Sequence, residues 1–163
     1  MPMTIREATT ADAPEILAMV RELAEYERSA DEVQASTADL ERALFSPAPA
    51  VHCHVVEDAQ GLAGFALWFV TFSTWTGRHG IYLEDLYVRP GQRGQGYGRA
   101  LLAQLAHVCV DRDYRRLEWS VLDWNVDAIG FYRRLGSQTK DGWTVHRLHG
   151  SALVELAASA PPR

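Results

Sequence analysis

Cysteine is scarce in this chain, and its scarcity excludes one class of protein at once. The 163 residues contain only Cys53 and Cys109, which are too few and too far apart for a disulfide framework. The longest apolar stretch, around residues 62–70, is about half as long as a membrane-spanning helix. The first residues, 1–6, lack the charged and then apolar layout of a signal peptide. These absences predict a soluble cytoplasmic protein.

Positive charge is also in deficit. Lys+Arg number 16 against 21 Asp+Glu, so the formal net charge is −5. Nucleic-acid-binding proteins usually show the opposite balance, and the sequence therefore favours a cationic ligand over DNA or RNA. A hydrophobic content of 47% with 12 Gly and 7 Pro is typical of a globular protein. The length fits a single domain over residues 1–163.

Apolar periodicity and turn residues predict strands and helices that alternate along the chain, as in an α/β domain with a mixed sheet and helices on both faces. The predicted strands cover residues 4–7, 52–57, 62–72, 81–88, 117–122 and 144–148. The predicted helices cover residues 10–27, 37–44 and 125–135, with another from the end of a glycine-rich loop to about residue 109. A tail is predicted after residue 148.

The glycine-rich loop is the most informative segment. Glycines at 94, 96 and 98 alternate with other residues and lie between Arg93 and Arg99. Glycine lets the backbone approach an anion closely, and the N–H groups at the start of the next helix favour negative charge. The sequence lacks the lysine of a Walker loop and the third glycine of a dinucleotide fingerprint. A pyrophosphate site is the favoured interpretation, with a tight strand-to-helix turn as the alternative.

The segment Arg93-Gly94-Gln95-Gly96-Tyr97-Gly98 resembles the Arg/Gln-x-x-Gly-x-Gly/Ala motif of the GNAT N-acetyltransferases. Other segments are similar to the diamine (spermidine/spermine) acetyltransferases of that superfamily: residues 5–8, 22–27, 82–88 and 125–136. Residues 73–75 and 121–125 look closer to the thialysine N-epsilon-acetyltransferase branch. The resemblance implies a mixed, mainly antiparallel sheet flanked by helices, acetyl-CoA as co-substrate, no metal, and a homodimer.

Acetyl transfer from a thioester to an amine requires two proton transfers. An alkylammonium with a pKa near ~10.4 must lose a proton before it attacks, and the departing thiolate needs one. Glu84 and Asp85 lie within an apolar strand, where carboxylates are costly unless paired or used. A regular strand sends them to opposite faces, whereas a bulge turns both toward one cleft. The resemblance implies Glu84 as the base, acting through water, and Asp85 as a holder of the cationic substrate; an arginine pair is the alternative for Asp85.

Tyr132 lies on the helix predicted over 125–135, where spacing alone also allows a tyrosine at the edge of the core. The resemblance makes it the acid that protonates the CoA thiolate. Asn125 is a natural N-cap, and the resemblance adds a contact with CoA. The donor-binding set implied in this way is Leu86, Tyr87, Val88, Arg93, Gly94, Gln95, Gly96, Tyr97, Gly98, Arg99, Asn125, Ala128 and Tyr132.

An acidic wall for the amine is implied by the same resemblance. Its residues are Tyr26, Glu27, Glu84, Asp85, Glu118, Asp141 and Trp143. A lone surface acid is usually solvated, so solvation is the alternative for each of the outer acids. Ser73 stands where the spermidine/spermine enzymes have an aspartate. The loss of that charge favours a shorter diamine or a lysine analogue over long polyamines.

Two other functions stay open at this point: a GNAT enzyme with a different acceptor, such as another amino acid, a drug or a protein amine, and a non-catalytic acyl-CoA-binding module. His52 and His54 share one face of a strand, but no third ligand is evident, so a structural role is favoured over a metal site. Cys53 and Cys109 are predicted to be small buried hydrophobes.

Overall fold

In a computed structural model that describes residues 2–161, the strands form one five-stranded sheet in the order β1-β2-β3-β4-β5. The strands are β1 (Thr4–Glu7), β2 (His52–Asp58), β3 (Gly61–Ser73), β4 (Arg78–Val88) and β5 (Leu117–Trp119). The α-helices are α1 (Ala13–Tyr26), α2 (Thr37–Phe45), α3 (Tyr97–Asp111), α4 (Val126–Arg134) and α5 (Gly150–Ala158). β1 to β4 pair antiparallel and β5 pairs parallel with β4. The mixed, mainly antiparallel sheet is therefore confirmed.

Both faces of the central strands are buried. Ile16 and Met19 of α1 cluster with Leu44 of α2 and with Phe65 and Leu67 of β3 on one face. Successive residues of a strand point to opposite faces, so Trp68 lies on the other. The guanidinium of Arg112, just after α3, is 6.0 Å from the centre of the Trp68 ring. The nearly continuous apolar run in β3 follows from this burial on two sides.

A charged network fixes the start of α1 against the sheet. A 3-10 turn over Thr10–Asp12 precedes the helix, with a capping box between Thr9 and Asp12. The Arg6 guanidinium of β1 donates to both carboxylate oxygens of Asp12, at 2.7 and 2.9 Å. Its Nε also donates to Glu57 of β2 at 3.0 Å. One arginine thus joins two strands and a helix start.

The end of the chain departs from the sequence prediction in three ways. The strand predicted over 117–122 is shorter and stops at Trp119. The strand predicted over 144–148 is wrong, because this segment pairs with no strand in the described part of the chain, and Val145 is 88% exposed. Part of the predicted tail is helix α5 instead. Alternating residues can indicate a strand, but a strand also needs a neighbour with which to form hydrogen bonds.

The chain divides into two compact units. Met1–Leu122 contains the whole sheet with α1 to α3, and Asp123–Arg163 contains α4 and α5. No helix within residues 2–161 combines the length and apolar character needed to cross a bilayer.

Candidate active site

A β-bulge in β4 brings the carboxylates of Glu84 and Asp85 to the same side of the sheet. Asp85 pairs with Leu67 of β3 and Leu83 pairs with Trp68, which leaves Glu84 as an additional residue in β4. The two residues of such a bulge oppose a single residue of the partner strand. That residue, Leu67, faces α1 and α2. The bulge that the sequence required for a shared cleft is therefore present.

The surroundings of Asp85 are negative. Burial raises the pKa of Asp85 to about 6, and the charges of Glu84 and Glu27 contribute to the same rise. Burial likewise raises the pKa of Glu27, which follows the last residue of α1. None of the ion pairs found among residues 2–161 includes Asp85, so the alternative of an arginine partner has no counterpart there. Such a group attracts a cation and can accept a proton near neutral pH.

The bulge also changes the direction of the backbone groups that follow it. The N–H of Arg89 donates to the carbonyl of Ala63 in β3 at 2.9 Å. Residues of an antiparallel strand alternate between bonding to the partner and pointing away, so Leu86 and Val88 direct their N–H and C=O groups to the opposite edge. β5 pairs with β4 only as far as Leu83. Leu86 and Val88 therefore lie where β5 has already ended.

The glycine loop has the backbone geometry of an anion cradle. Gly94 and Gly96 have positive φ angles of 78° and 84°, a region in which residues with a Cβ are strained. A Cβ at either position would meet no atom within 4 Å, so the space beside the loop is open. Gly96 is the N-cap of α3, whose first turn leaves N–H groups without partners inside the helix. These features favour the predicted anion site over a simple turn.

Arg93 makes contacts that the sequence did not predict. Its Nε donates to the carbonyl of Val88 at 2.8 Å. Its guanidinium lies 5.1 Å from the ring centre of Tyr26 and 5.7 Å from that of Tyr87, within the range of a cation–π interaction. Arg93 thus connects the open edge of β4 with the end of α1. A direct contact between Arg93 and pyrophosphate stays a prediction.

The end of β4 is anchored to α1 by Arg89, which the sequence analysis did not single out. Its guanidinium donates to Glu22 at 2.8 Å and lies 2.6 Å from a carboxylate oxygen of Glu15. It also donates to the carbonyl of Leu62 at 3.1 Å. Residues 22 and 89 are 67 positions apart in the chain, and no local sequence pattern predicts a contact over such a separation.

Asp58, at the end of β2, was likewise missed. One oxygen of its carboxylate accepts hydrogen bonds from the side chains of Gln92 and Tyr97, both at 3.1 Å. The other accepts from the backbone N–H of Gln60 at 2.7 Å. The only signal in the sequence was the turn 58–61, where an aspartate commonly bonds to the backbone two residues on.

Glu118, predicted to belong to the acidic wall, forms an ion pair with the residue that immediately precedes β5. Its carboxylate lies 2.7 Å from Nε of Arg116. The positive charge of Arg116 therefore offsets part of the negative charge that Glu118 would offer to a substrate. Its role in substrate binding stays a prediction.

Gly98 and Arg99 lie in the first turn of α3, and five other predicted residues belong to the unit that begins at Asp123: Asn125, Ala128, Tyr132, Asp141 and Trp143. Asn125 caps α4 as predicted, since its side chain accepts from the N–H of Ala128 at 3.3 Å. Tyr132 lies in α4 with its ring centre 5.3 Å from that of Phe131. Asp141 accepts from the hydroxyl of Thr139 at 3.4 Å, and the Lys140 ammonium lies 5.5 Å from the ring centre of Trp143.

The histidines and cysteines have structural surroundings. The Trp68 indole donates to Nδ1 of His54 at 3.1 Å, and the His52 ring stacks on Trp68 with centroids 4.5 Å apart. Cys53 and Cys109 are buried as predicted, and burial raises the pKa of the Cys53 thiol to about 12. A thiol of this kind is a poor nucleophile.

Comparison with known proteins gives a consistent result. The model of the Acetyltransferase (GNAT) family matches residues 16–137. The thialysine N-epsilon-acetyltransferase of Bos taurus is 42% identical over 164 residues, which cover 94% of this chain and 96% of that protein. The spermidine/spermine N(1)-acetyltransferase-like protein 1 of Homo sapiens is 32% identical over 94% of this chain and 23% of its own length. A solved structure, integron cassette protein VCH_CASS6 from the mobile metagenome of V. cholerae, has a TM-score of 0.81 at 26% identity and covers 98% of this chain and 99% of its own.

Proposed function

The chain belongs to the GNAT acetyltransferase family, and on that premise we propose that it transfers the acetyl group of acetyl-CoA to a primary amine of a small cationic substrate. The acceptor is a lysine-like amino acid such as thialysine, or a diamine or polyamine. The five-stranded sheet is the GNAT fold that the sequence predicted. Near-full-length similarity to thialysine N-epsilon-acetyltransferase supports a small amine as acceptor.

One observation supports the proposal more than any other, the β-bulge at Glu84. It sets two carboxylates side by side for a cation, and it turns the N–H groups of Leu86 and Val88 toward an edge that β5 leaves open. Amide groups of a pantetheine arm can complete hydrogen bonds with such an edge, as an added strand does. Residues 94–99 would hold the pyrophosphate.

The proton transfers follow from the same residues. Glu84 accepts, through water, a proton from the ammonium, and Asp85 holds the cation beside it. The freed nitrogen attacks the thioester carbon directly, so that the C–N bond forms and the C–S bond breaks. The nitrogen then releases its second extra proton to water, and this release balances the proton that the thiolate gains from Tyr132, which is reprotonated from water. The high pKa of the Cys53 thiol supports direct transfer without an acyl-enzyme.

Tyr132 donates the proton that the departing thiolate needs. This role is supported by the resemblance of residues 125–136 to the acetyltransferases, and a phenol is a suitable acid for a thiolate. Asn125 and Ala128 at the start of α4 complete the donor-binding set. Glu118, Asp141 and Trp143 form the outer part of the substrate wall.

Ser73 supports the shorter acceptors. It stands where the spermidine/spermine enzymes have an aspartate, and its hydroxyl accepts a hydrogen bond from the N–H of Thr76 at 3.4 Å. A neutral side chain at this position lowers the negative charge offered to a long polyamine. We further propose a single domain over residues 1–163, a homodimer, and a cytoplasmic location. The family match begins in the first compact unit and extends into the second as far as residue 137, which supports the single domain.

The test is release of CoA thiol from acetyl-CoA in the presence of thialysine, lysine, putrescine, spermidine or spermine. A preference for thialysine or lysine supports the proposal in its narrower form. A preference for spermidine assigns the chain to the polyamine acceptors and shows that the remaining acids suffice without a charge at Ser73. Binding of CoA with no turnover of any amine would overturn the proposed acceptor class.

A further inference from the structure

The glycine loop is bordered on both sides by residues that bond to a single carboxylate oxygen. Gln92 precedes the loop and Tyr97 follows its N-cap glycine, and both donate to the same oxygen of Asp58 at 3.1 Å. Gln92 and Tyr97 are each 8% exposed. Asp58 belongs to a different part of the sheet, 34 and 39 residues earlier in the chain. The loop is therefore held at both ends from outside.

Asp58 is itself held by the tight turn that joins β2 and β3. The backbone N–H of Gln60 donates to the second carboxylate oxygen at 2.7 Å. This bond and those from Tyr97 and Gln92 lower the pKa of Asp58, so the side chain is a charged acceptor at neutral pH. A carboxylate with a fixed orientation holds its two donors in fixed positions.

Two other contacts hold side chains of this segment: Nε of Arg93 donates to the carbonyl of Val88 at 2.8 Å, and the Tyr97 hydroxyl also lies 3.3 Å from Oε1 of Gln95. The two glycines between them have no side chain through which they could be held. Gly94 and Gly96 have positive φ angles, and a Cβ at either position would meet no atom within 4 Å. Glycine is also the residue with the largest conformational freedom. An anion that binds to several backbone N–H groups gains most when they are already oriented. An external constraint on the loop therefore lowers the entropy lost when the anion binds.

We propose that Asp58 is a positioning residue that preorganises residues 93–97 for the pyrophosphate of the acyl donor. The inference rests on the proposed function, in which this loop binds the pyrophosphate. Asp58 acts through Gln92 and Tyr97. Its effect is confined to donors that carry a pyrophosphate.

The experiment compares two acetyl donors, acetyl-CoA and S-acetyl-pantetheine, which shares the pantetheine arm but has no pyrophosphate. We expect Asp58→Ala to raise the KM for acetyl-CoA about tenfold, in line with the loss of hydrogen bonds to a charged group. The kcat/KM for S-acetyl-pantetheine stays within about twofold of wild type, since no loop contact is involved. Asp58→Asn, which keeps one oxygen acceptor, gives an intermediate KM.

Tyr97→Phe provides a second variant that removes a single hydroxyl and keeps the buried ring. It raises the KM for acetyl-CoA less than Asp58→Ala does, and the double variant falls short of the product of the two effects because they act through one contact. Asp111→Asn, at the exposed far end of α3, is the matched control and leaves both donors unchanged.

If Asp58→Ala lowered kcat/KM equally for the two donors, the role of Asp58 would be purely structural and the inference would be overturned. A lower KM for acetyl-CoA in Asp58→Ala would do the same, since it would mean that the negative charge only repels the donor. An unchanged KM also refutes it, while the proposed function stands. If the wild-type protein showed no preference for acetyl-CoA over S-acetyl-pantetheine, the pyrophosphate site of the proposed function would be the part that fails.

Discussion

Asp12 and Asp85 are both carboxylates removed from bulk water, and the chain treats them in opposite ways. Asp12 receives two hydrogen bonds from Arg6 and two from Thr9, and the bonds from Arg6 are the main cause that lowers its pKa to about 2. Burial raises the pKa of Asp85 to about 6, and two neighbouring negative charges add to the rise. A carboxylate surrounded by donors stabilises the fold, whereas one kept among like charges is available to a ligand that brings a positive charge.

The largest effect that separates the two sites is expected from Glu84→Gln. It removes the proposed base and should lower kcat/KM about 100-fold or more at pH 7.5, with the thermal midpoint of unfolding unchanged. Steady-state thiol release measures the first quantity and differential scanning fluorimetry the second. Glu32→Gln, at an exposed position outside the site, is the matched control. Wild-type activity in Glu84→Gln would remove Glu84 from the mechanism.

Asp12→Asn should act on stability instead. The pKa of Asp12 is lowered in the folded state, so its contribution is present above the unfolded value of 3.8 and is lost as the pH falls toward about 2. We expect a loss of about 1–2 kcal/mol at pH 7, reduced by the partial exposure of Arg6, and a thermal midpoint lower by about 5 °C. Urea unfolding of both proteins between pH 7 and pH 3 checks this, and an equal deficit at every pH would contradict the pairing with Arg6.

Asp85→Asn should change the stability of the fold in the opposite direction. The pKa of Asp85 is raised from 3.8 to about 6 in the folded state, so ionisation makes the fold less stable as the pH rises through that interval. The variant is therefore more stable than wild type at pH 7.5, on the order of 1 kcal/mol, and the gain disappears below about pH 4. Its KM for the amine rises at the same time. A variant less stable than wild type at pH 7.5 would show that Asp85 is compensated in the folded protein.

The smallest effect is expected from Glu27→Gln. Glu27 is the weaker of the two charges that raise the pKa of Asp85, so its removal shifts the titration midpoint of the Asp85 carboxyl to lower pH, and by less than Glu84→Gln does. Carbon-13 NMR of the side-chain carboxyl measures both shifts. An order of shifts opposite to this one would place Glu27 closer to Asp85 than Glu84 is.

The candidate site residues that could be proposed from the sequence all have local signals. Glu84 and Asp85 stand out in an apolar strand, Asn125 precedes a helix, and alternating glycines announce the loop. Whether β4 contains the bulge could not be predicted, because the register of a strand depends on its partner strand. The partner, β3, is apolar on both faces and therefore does not specify the register by its pattern. Asp58 and Arg89 could not be found, since their partners lie far away in the chain.

The end of the chain shows the reverse error. Residues 144–148 alternate in the manner of a strand, but alternation does not reveal whether a neighbouring edge exists. The segment that forms α5 contains Ala, Leu and Glu, which favour helices, and it was overlooked because it follows the last predicted strand. The helix preference of these residues was therefore a better guide to the structure of this segment than its place after the last predicted strand.

The bulge in β4 has a consequence for the solubility of the protein. Before Glu84 the outward edge of this strand pairs with β5, and after it the same edge carries backbone amides with which no strand in the described residues 2–161 pairs. An uncovered edge is the surface through which β-proteins aggregate, by pairing with an extended segment of another molecule. An acyl donor bound along this edge would also block such pairing. Dilute CoA during concentration or storage should therefore slow the formation of aggregates.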